Sequence, residues 1–128
     1  MKALVVGGTG DIGKAVVKAL KEENAEVIVA GHSSGDIQVD LGDGESIKKM
    51  YDSISSLDAV IAAPGRGVPF KPVTEMTKQD YIDGIQAKCL GQVNLVLIGI
   101  KYLNDRGSFT LTTGVLNEDI IPGGSCAA

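Results

Sequence analysis

The sequence predicts an α/β fold in which a doubly wound parallel sheet is covered by helices on both faces. Short unbroken runs of apolar residues alternate along the chain with segments of helical apolar periodicity. Strands buried on both faces of a parallel sheet have such runs, and helical crossovers connect them. Glycines at positions 7, 10 and 13 separate the first run from the first helical segment. We expect about five strands in the order 3-2-1-4-5, within one domain spanning residues 1–128.

The first half of the chain is predicted to contain four strands and two helices. The predicted strands are Lys2 to Val6, Glu26 to Ala30, Asp36 to Val39 and Asp58 to Ala63. The first helix should end near Glu23 and Asn24, and its apolar face is spaced i, i+3, i+4, i+7, i+8 as Ile12, Ala15, Val16, Ala19 and Leu20. Asp43 can cap the second helix, whose apolar face is Ile47, Met50, Tyr51 and Ile54.

The second half is predicted to contain a loop, a long helix and a fifth strand. The loop runs from Gly65 to Thr74 and holds two prolines, and the helix starts at Thr74 or Thr77 with a break near Gly84. The apolar positions that fit a long amphipathic helix are Ile85, Cys89, Val93, Val96, Leu97, Ile100 and Leu103. The fifth strand is predicted from Gly107 to Thr113.

Composition excludes several classes of protein. The net charge is −4 and the pI about 4.9, which argues against electrostatic binding of nucleic acid. We expect no membrane segment and no leader, because the apolar runs are short, and we therefore predict a cytoplasmic protein. Cys89 and Cys126 lie far apart and match no metal-ligand spacing, so we expect free thiols and no metal site.

The three glycines indicate a binding site for the phosphates of a nucleotide. Gly7 permits a tight turn after the strand, Gly10 lets the backbone approach a pyrophosphate, and Gly13 allows close packing of helix and sheet. Exposed amides and the positive end of the helix dipole would attract the phosphates. The alternative is a tight strand-to-helix turn that binds no ligand.

The segment GGTGDIG resembles the glycine turn of the short-chain dehydrogenase/reductase family. Its spacing is similar to that of the family's extended and atypical branches, since the commonest branch has glycine where Asp11 stands. The resemblance covers the whole chain and implies a Rossmann-like fold. After the fifth predicted strand only a short tail remains, and a larger sheet would lack its last strands. The resemblance therefore also implies that the C-terminal part of the family fold is absent.

Four further segments carry the resemblance in the expected order. Val39-Asp40-Leu41 looks like the family's adenine-contacting pair, and Ala62-Ala63-Pro64-Gly65 takes the place of its Asn-Asn-Ala-Gly. Lys88-Cys89-Leu90-Gly91 is similar to its Asn-Leu-x-Gly segment, and the residues from Gly107 to Gly114 look like the strand that ends in its catalytic serine.

The resemblance implies a dinucleotide cofactor, and we predict NADP(H) rather than NAD(H). An acidic residue after the second strand usually binds the ribose 2′-OH, but here the chain reads Ala30-Gly31-His32-Ser33-Ser34. Ser33, Ser34 and a protonated His32 could instead bind a 2′-phosphate. The predicted cofactor-binding residues are Gly7, Thr9, Gly10, Asp11, Ile12 and Gly13 at the pyrophosphate, His32, Ser33 and Ser34 at the 2′ position, Asp40 and Leu41 at adenine, and Ala63, Pro64 and Gly65 beside the ribose.

The family's chemistry implies hydride transfer between the nicotinamide and a carbonyl or alcohol carbon of a small molecule. The family uses a Tyr-x-x-x-Lys pair for the proton, but Tyr51, Tyr81 and Tyr102 are followed four residues later by serine, isoleucine and arginine. By family spacing the tyrosine would fall near Cys126 or Ala127. Lys88 stands where the family has asparagine, and Thr112 or Thr113 could replace the serine, although Gly114 could equally align there. The candidate catalytic residues are therefore Thr113 and Lys88.

Three functions stay open at this point. The chain could be the cofactor-binding portion of an NADP-dependent oxidoreductase, a nucleotide-binding sensor without catalysis, or a fragment that acts by association. In the family, the helix after the fifth strand packs in the subunit interface. A chain without it would expose apolar surface, so we expect a homo-oligomer.

Overall fold

The computed structural model describes residues 1–65, 67–114, 118 and 121–125. Its five parallel strands form one sheet in the order β3-β2-β1-β4-β5. The strands are β1 (Lys2–Val6), β2 (Glu26–Gly31), β3 (Ile37–Gln38), β4 (Leu57–Ala62) and β5 (Leu103–Leu111). The predicted fold class and strand order are confirmed.

The helices connect these strands as crossovers. They are α1 (Asp11–Glu22), α2 (Gly44–Asp52), α3 (Lys78–Gly84) and α4 (Gly91–Gly99), with 3₁₀ turns at Val73–Glu75 and Ile100–Tyr102. A π-helical segment, Ile85–Leu90, joins α3 to α4, and we call the three together the long helix. The break predicted near Gly84 is the change from α-helix to π-helix, which begins at Ile85.

The main core lies between the sheet and the helices α2 and α4. It contains alternate residues of the central strands, including Leu4, Val6 and Val60, together with Leu95 of α4. The predicted face of α2 is buried in full, with Ile47, Met50, Tyr51 and Ile54 at most 4% exposed. Asp43 caps α2 as predicted, since its carboxylate accepts a hydrogen bond of 2.9 Å from the N–H of Glu45.

Helix α1 packs on the opposite face of the sheet with part of its predicted face, since Val16 and Leu20 are half-buried. Val17 of α1 lies beside Val29 of β2, and both side chains approach Gly8. Ile12, Ala15 and Ala19 are exposed, and Ile12 keeps 67% of its surface. Apolar periodicity predicted a five-residue face on α1, and the described chain covers two of those residues in part.

The predicted apolar face of the long helix is also wrong for the described chain. Ile85, Val93, Leu97 and Ile100 are exposed, as is Cys89, whereas Gly91, Leu95 and Gly99 are buried. Leu103 belongs to β5. Helix α4 has apolar side chains around most of its circumference, so periodicity could not identify the face that packs on the sheet. Small residues pack there because Tyr51 approaches closely: an added Cβ on Gly99 would lie 2.4 Å from its Oη atom.

Strand β5 begins earlier and ends earlier than predicted. It starts at Leu103 and includes an irregular register against β4, with Arg106 at a φ of 66°. It ends at Leu111, so Thr112 and Thr113 follow the strand instead of completing it. Among the described residues, no helix is both long and apolar enough to cross a membrane.

Candidate functional site: a dinucleotide cleft

The glycine turn brings three pieces of backbone into close contact. Gly7 has a φ of +80°, and a Cβ atom on it would lie 2.4 Å from the carbonyl oxygen of Ala63 at the end of β4. A Cβ on Gly13 would lie 2.1 Å from the carbonyl oxygen of Gly7. Both positions therefore require glycine, for the two reasons that the sequence indicated: a tight turn and close packing of the helix.

The amino terminus of α1 opens beside this turn. Gly10 is the N-cap residue, with extended backbone and no side chain to cap the first-turn amides. Its own N–H donates to the carbonyl oxygen of Gly7 at 3.0 Å, which fixes the direction of the first turn. The first N–H groups of a helix have no acceptor within the helix, and they carry the positive end of its dipole. The arrangement suits an anion.

These amides face a cleft of about 860 Å³ along the carboxyl ends of the strands. The cleft is lined by nearly every residue predicted to bind the cofactor, namely Gly7, Thr9, Gly10, Asp11, Ile12, His32, Ser33, Ser34, Asp40, Leu41, Ala63, Pro64 and Gly65. Gly13 is the exception, and its place beneath the turn agrees with the packing role expected of it. The cleft has the size of a small-molecule site and lies at the carboxyl ends of β1 and β4, between which the strand order reverses direction.

The end of β2 presents hydroxyl groups to the cleft. Ser34 Oγ donates a hydrogen bond of 3.0 Å to Thr9 Oγ1, so the loop after β2 is tied to the glycine turn. Asp36 lies outside the lining, because its carboxylate accepts from the N–H of Val29 at 2.8 Å. The nearest carboxylate after β2 is thus bound to the sheet's own backbone.

The loop after β3 holds Asp40 through local hydrogen bonds. Its Oδ1 atom accepts from the N–H of Gly42 at 2.8 Å, and its own N–H donates to Ser46 Oγ at 2.9 Å. The adjacent Leu41 also lines the cleft. This wall can present an apolar side chain and a fixed carboxylate to a planar base.

The opposite wall was largely missed by sequence reasoning. It consists of Thr112 after β5 and three residues of the long helix, Asp83, Gln86 and Ala87. Their i, i+3, i+4 spacing places them on one helix face, which could have identified them once the helix was placed at this edge. Among the described lining residues, His32 is the one side chain that can carry a positive charge. Among the described residues, an anion in the cleft would therefore meet backbone amides, hydroxyl groups and His32.

Comparisons with known proteins assign the family. The profile of the NAD dependent epimerase/dehydratase family matches residues 3–102, which is most of the chain. The chain belongs to this family. A curated relative, the short-chain dehydrogenase/reductase ucsE of an Acremonium species, is 28% identical over 157 residues, covering 97% of this chain and 59% of the relative.

Solved structures agree with this assignment. Protein lin1944 from Listeria innocua is 49% identical, with a TM-score of 0.94 over 100% of this chain and 63% of its own. A small-chain dehydrogenase in complex with NADPH is 28% identical, with a TM-score of 0.87 over 100% of this chain and 57% of its own. The predicted short-chain dehydrogenase/reductase resemblance is confirmed, and the chain spans about three fifths of the relatives it matches.

The two residues predicted for catalysis in this dehydrogenase-like chain do not line the described cleft. Thr113 follows the lining residue Thr112 and is exposed, and Lys88 lies within the π-helical segment. The positions near 126 and 127, where the family tyrosine was expected, lie outside the described residues. No group of His, Cys, Asp and Glu in the described part of the chain could hold a metal ion.

Proposed function

We propose that the protein binds NADP(H) in the cleft, with the cofactor's diphosphate at the amino terminus of α1. The carrying observation is the uncapped first turn of α1, which opens into the cleft directly after the Gly7 turn. From there the adenosine half would extend over β2 and β3, where Asp40 and Leu41 lie. The other half would extend over β4 and β5, between Ala63 and Thr112.

The preference for NADP(H) over NAD(H) is part of this proposal. A carboxylate after β2 would repel a 2′-phosphate, but Asp36 is bound to the Val29 amide and lies outside the lining. His32, Ser33 and Ser34 line the cleft instead and offer donors to a phosphate. The NADPH complex of the 28% identical small-chain dehydrogenase supports the same choice.

The whole protein's activity is proposed as oxidoreduction of a small carbonyl or alcohol substrate. Bound NADP(H) would supply or accept the hydride. The predicted catalytic residues are Thr113, whose hydroxyl would hold the substrate oxygen, and Lys88, which would contribute positive charge on the nicotinamide side. Each would act from beside the described lining, which includes neither residue. The second candidate is a sensor that binds the cofactor without turnover. Turnover with a panel of carbonyl compounds separates the two.

Titration with NADPH and NADH tests the cofactor proposal, and one variant tests the 2′ site. NADPH should bind more tightly to the wild-type protein, and Ser33→Asp should reduce or reverse the preference by placing a carboxylate at the 2′ position. The control is Ser55→Asp, which makes the same charge change at an exposed serine before the amino end of β4, outside the cleft lining. Tighter NADH binding by the wild type would refute the preference, and binding of neither would refute the proposed function.

A further inference from the structure

Gln92 is the one buried residue with an amide or charged side chain in the described chain, at 6% exposure. Its side chain makes three hydrogen bonds. Nε2 donates to the carbonyl oxygens of Lys88 and Thr112, both at 3.0 Å, and Oε1 accepts from the N–H of Thr112 at 2.9 Å. Both amide protons and the carbonyl oxygen are therefore used, and each bond is made to backbone.

The two bonds to Thr112 imitate a neighbouring strand. β5 ends the sheet at Leu111, where its partner is Ala62 of β4, and no strand follows β5 in the described sheet. The Gln92 side-chain amide offers Thr112, the residue after Leu111, one donor and one acceptor, as the backbone of a strand would. It thereby continues the backbone pairing of β5 by one residue beyond the strand.

The bond to Lys88 connects the same amide to the π-helical segment. Such segments occur often at functional sites because the extra residue changes which side chains face a neighbour. Gln86 and Ala87 of this segment line the cleft, and so does Thr112. Gln92 does not line it. One buried amide thus joins two parts of the same cleft wall from behind.

We propose that Gln92 is a positioning residue that sets this wall for the second half of the dinucleotide. The inference rests on the proposed NADP(H) binding, because the wall lies on the β4–β5 side, opposite the adenosine residues. Loss of the amide would leave the Thr112 backbone without partners and let it move away from the helix. Loss of the amide should therefore weaken binding of the nicotinamide half of the cofactor and leave binding of the adenosine half unchanged.

The test compares two ligands on one variant. Gln92→Met keeps the size of the side chain and removes all three hydrogen bonds. We expect the dissociation constant for NADPH to rise about tenfold, while that for adenosine 2′,5′-bisphosphate changes less than about twofold. The matched control is Gln38→Met, which replaces an exposed glutamine on β3 and should leave both dissociation constants unchanged.

The outcomes separate this inference from the proposed function. If the wild type binds neither ligand, the proposed function fails. The positioning role is wrong if the wild type binds both ligands and a folded Gln92→Met variant leaves the ratio of the two dissociation constants unchanged. That ratio is unchanged when neither affinity falls and when both fall by the same factor. If Gln92 had only a structural role, the variant would bind both ligands more weakly by the same factor.

Amide hydrogen exchange in the wild type tests the geometry even if the variant does not fold. The Thr112 N–H should exchange slowly, because it donates to a buried acceptor although it lies beyond the strand. Exchange at the rate of an unprotected peptide would overturn the inference.

Discussion

Gly7 and Gly13 are glycines because backbone atoms already occupy the space that a Cβ atom would take. Ala63, which follows β4, blocks a Cβ atom on Gly7, and the Gly7 carbonyl oxygen blocks one on Gly13. The turn therefore joins β1, α1 and β4 at one point. Gly10 differs from both, since its nearest neighbour would lie 3.4 Å from an added Cβ. Its hydrogen atom leaves the approach to the α1 amides open. Gly7 and Gly13 therefore have structural roles, and Gly10 has a binding role in the proposed function.

Gly7→Ala should destabilise the fold by at least about 2 kcal/mol, because it combines an unfavourable φ with a contact to Ala63 backbone. Urea unfolding monitored by circular dichroism measures the change. Gly65→Ala is the control, since an added Cβ there meets no atom within 4 Å. Equal stability of the two variants would show that the turn is looser than described.

At the scale of elements, Tyr51 joins α2 to α4 across the core. Its hydroxyl donates to the carbonyl oxygen of Leu95 at 2.9 Å, and its ring stacks on Tyr102 with centroids 5.1 Å apart. Tyr102 in turn donates to Asp52 of α2. Burial raises the pKa of the Tyr51 hydroxyl above its ordinary range, so the group stays neutral and keeps donating.

Tyr51→Phe should cost about 1 kcal/mol of folding free energy, because the Leu95 carbonyl loses its donor inside the core. Chemical denaturation measures this. Tyr81→Phe removes an exposed hydroxyl that donates to Ser125 Oγ, and it should cost much less. If the two variants lose the same stability, the buried bond contributes nothing specific.

Helix α3 begins with a capping box that depends on pH. The Thr77 side chain and backbone both donate to Asp80 Oδ2, and Lys71 Nζ lies 2.9 Å from the same atom. The Thr77 hydroxyl and then Lys71 lower the Asp80 pKa from the ordinary 3.8 to about 2. Since the pKa is depressed on folding, the stabilisation is present above the unfolded value and lost as the pH falls through about 2.

Carbon-detected NMR titration should place the Asp80 midpoint near 2 in the wild type, and Thr77→Ala should raise it. Lys71→Met should raise it by a smaller amount, since Lys71 is the lesser cause. A wild-type midpoint at the ordinary value would show that the box is not formed in solution.

At the scale of the whole molecule, the long helix presents a stripe of large apolar side chains to solvent. These residues are Ile82, Ile85, Leu90, Val93 and Leu97 of the long helix and Ile100 of the 3₁₀ turn that follows it, and they recur at intervals suited to one helix face. Leu97 and Ile100 remain 68% and 65% exposed. An exposed patch of this kind favours association, which supports the proposed homo-oligomer.

Light scattering should show concentration-dependent self-association of the protein, and Leu97→Lys should shift it towards monomer. Lys49→Glu, a surface change on α2, should leave it unaffected. A monomer at all concentrations would contradict the oligomer prediction.

The sequence predicted the topology because strand and helix patterns depend on local residues. The positions of β1, β2 and β4 and the cap at Asp43 follow from apolar runs and turn chemistry, and the strand order follows from the doubly wound fold that the glycine turn indicated. Which face of α1 or the long helix is covered depends on what packs there, and periodicity does not contain that information. The π-helical segment and the Gln92 bonds arise from tertiary pairing with Thr112. The cleft lining along β1, β2 and β3 was therefore predictable, and Asp83, Gln86 and Ala87 on the opposite wall were not.

The central claim is that the α1 amides bind the diphosphate of NADP(H), and calorimetric titration of Gly10→Asp with NADPH tests it most directly. Gly10 has the extended backbone of an N-cap, a position where aspartate is favourable, so the variant should fold while placing negative charge at the anion site. Gly10→Asn is the neutral control of equal size. We expect Gly10→Asp to lose NADPH affinity by about a hundredfold or more, and Gly10→Asn to lose clearly less. Undiminished NADPH binding by a folded Gly10→Asp variant would contradict the account.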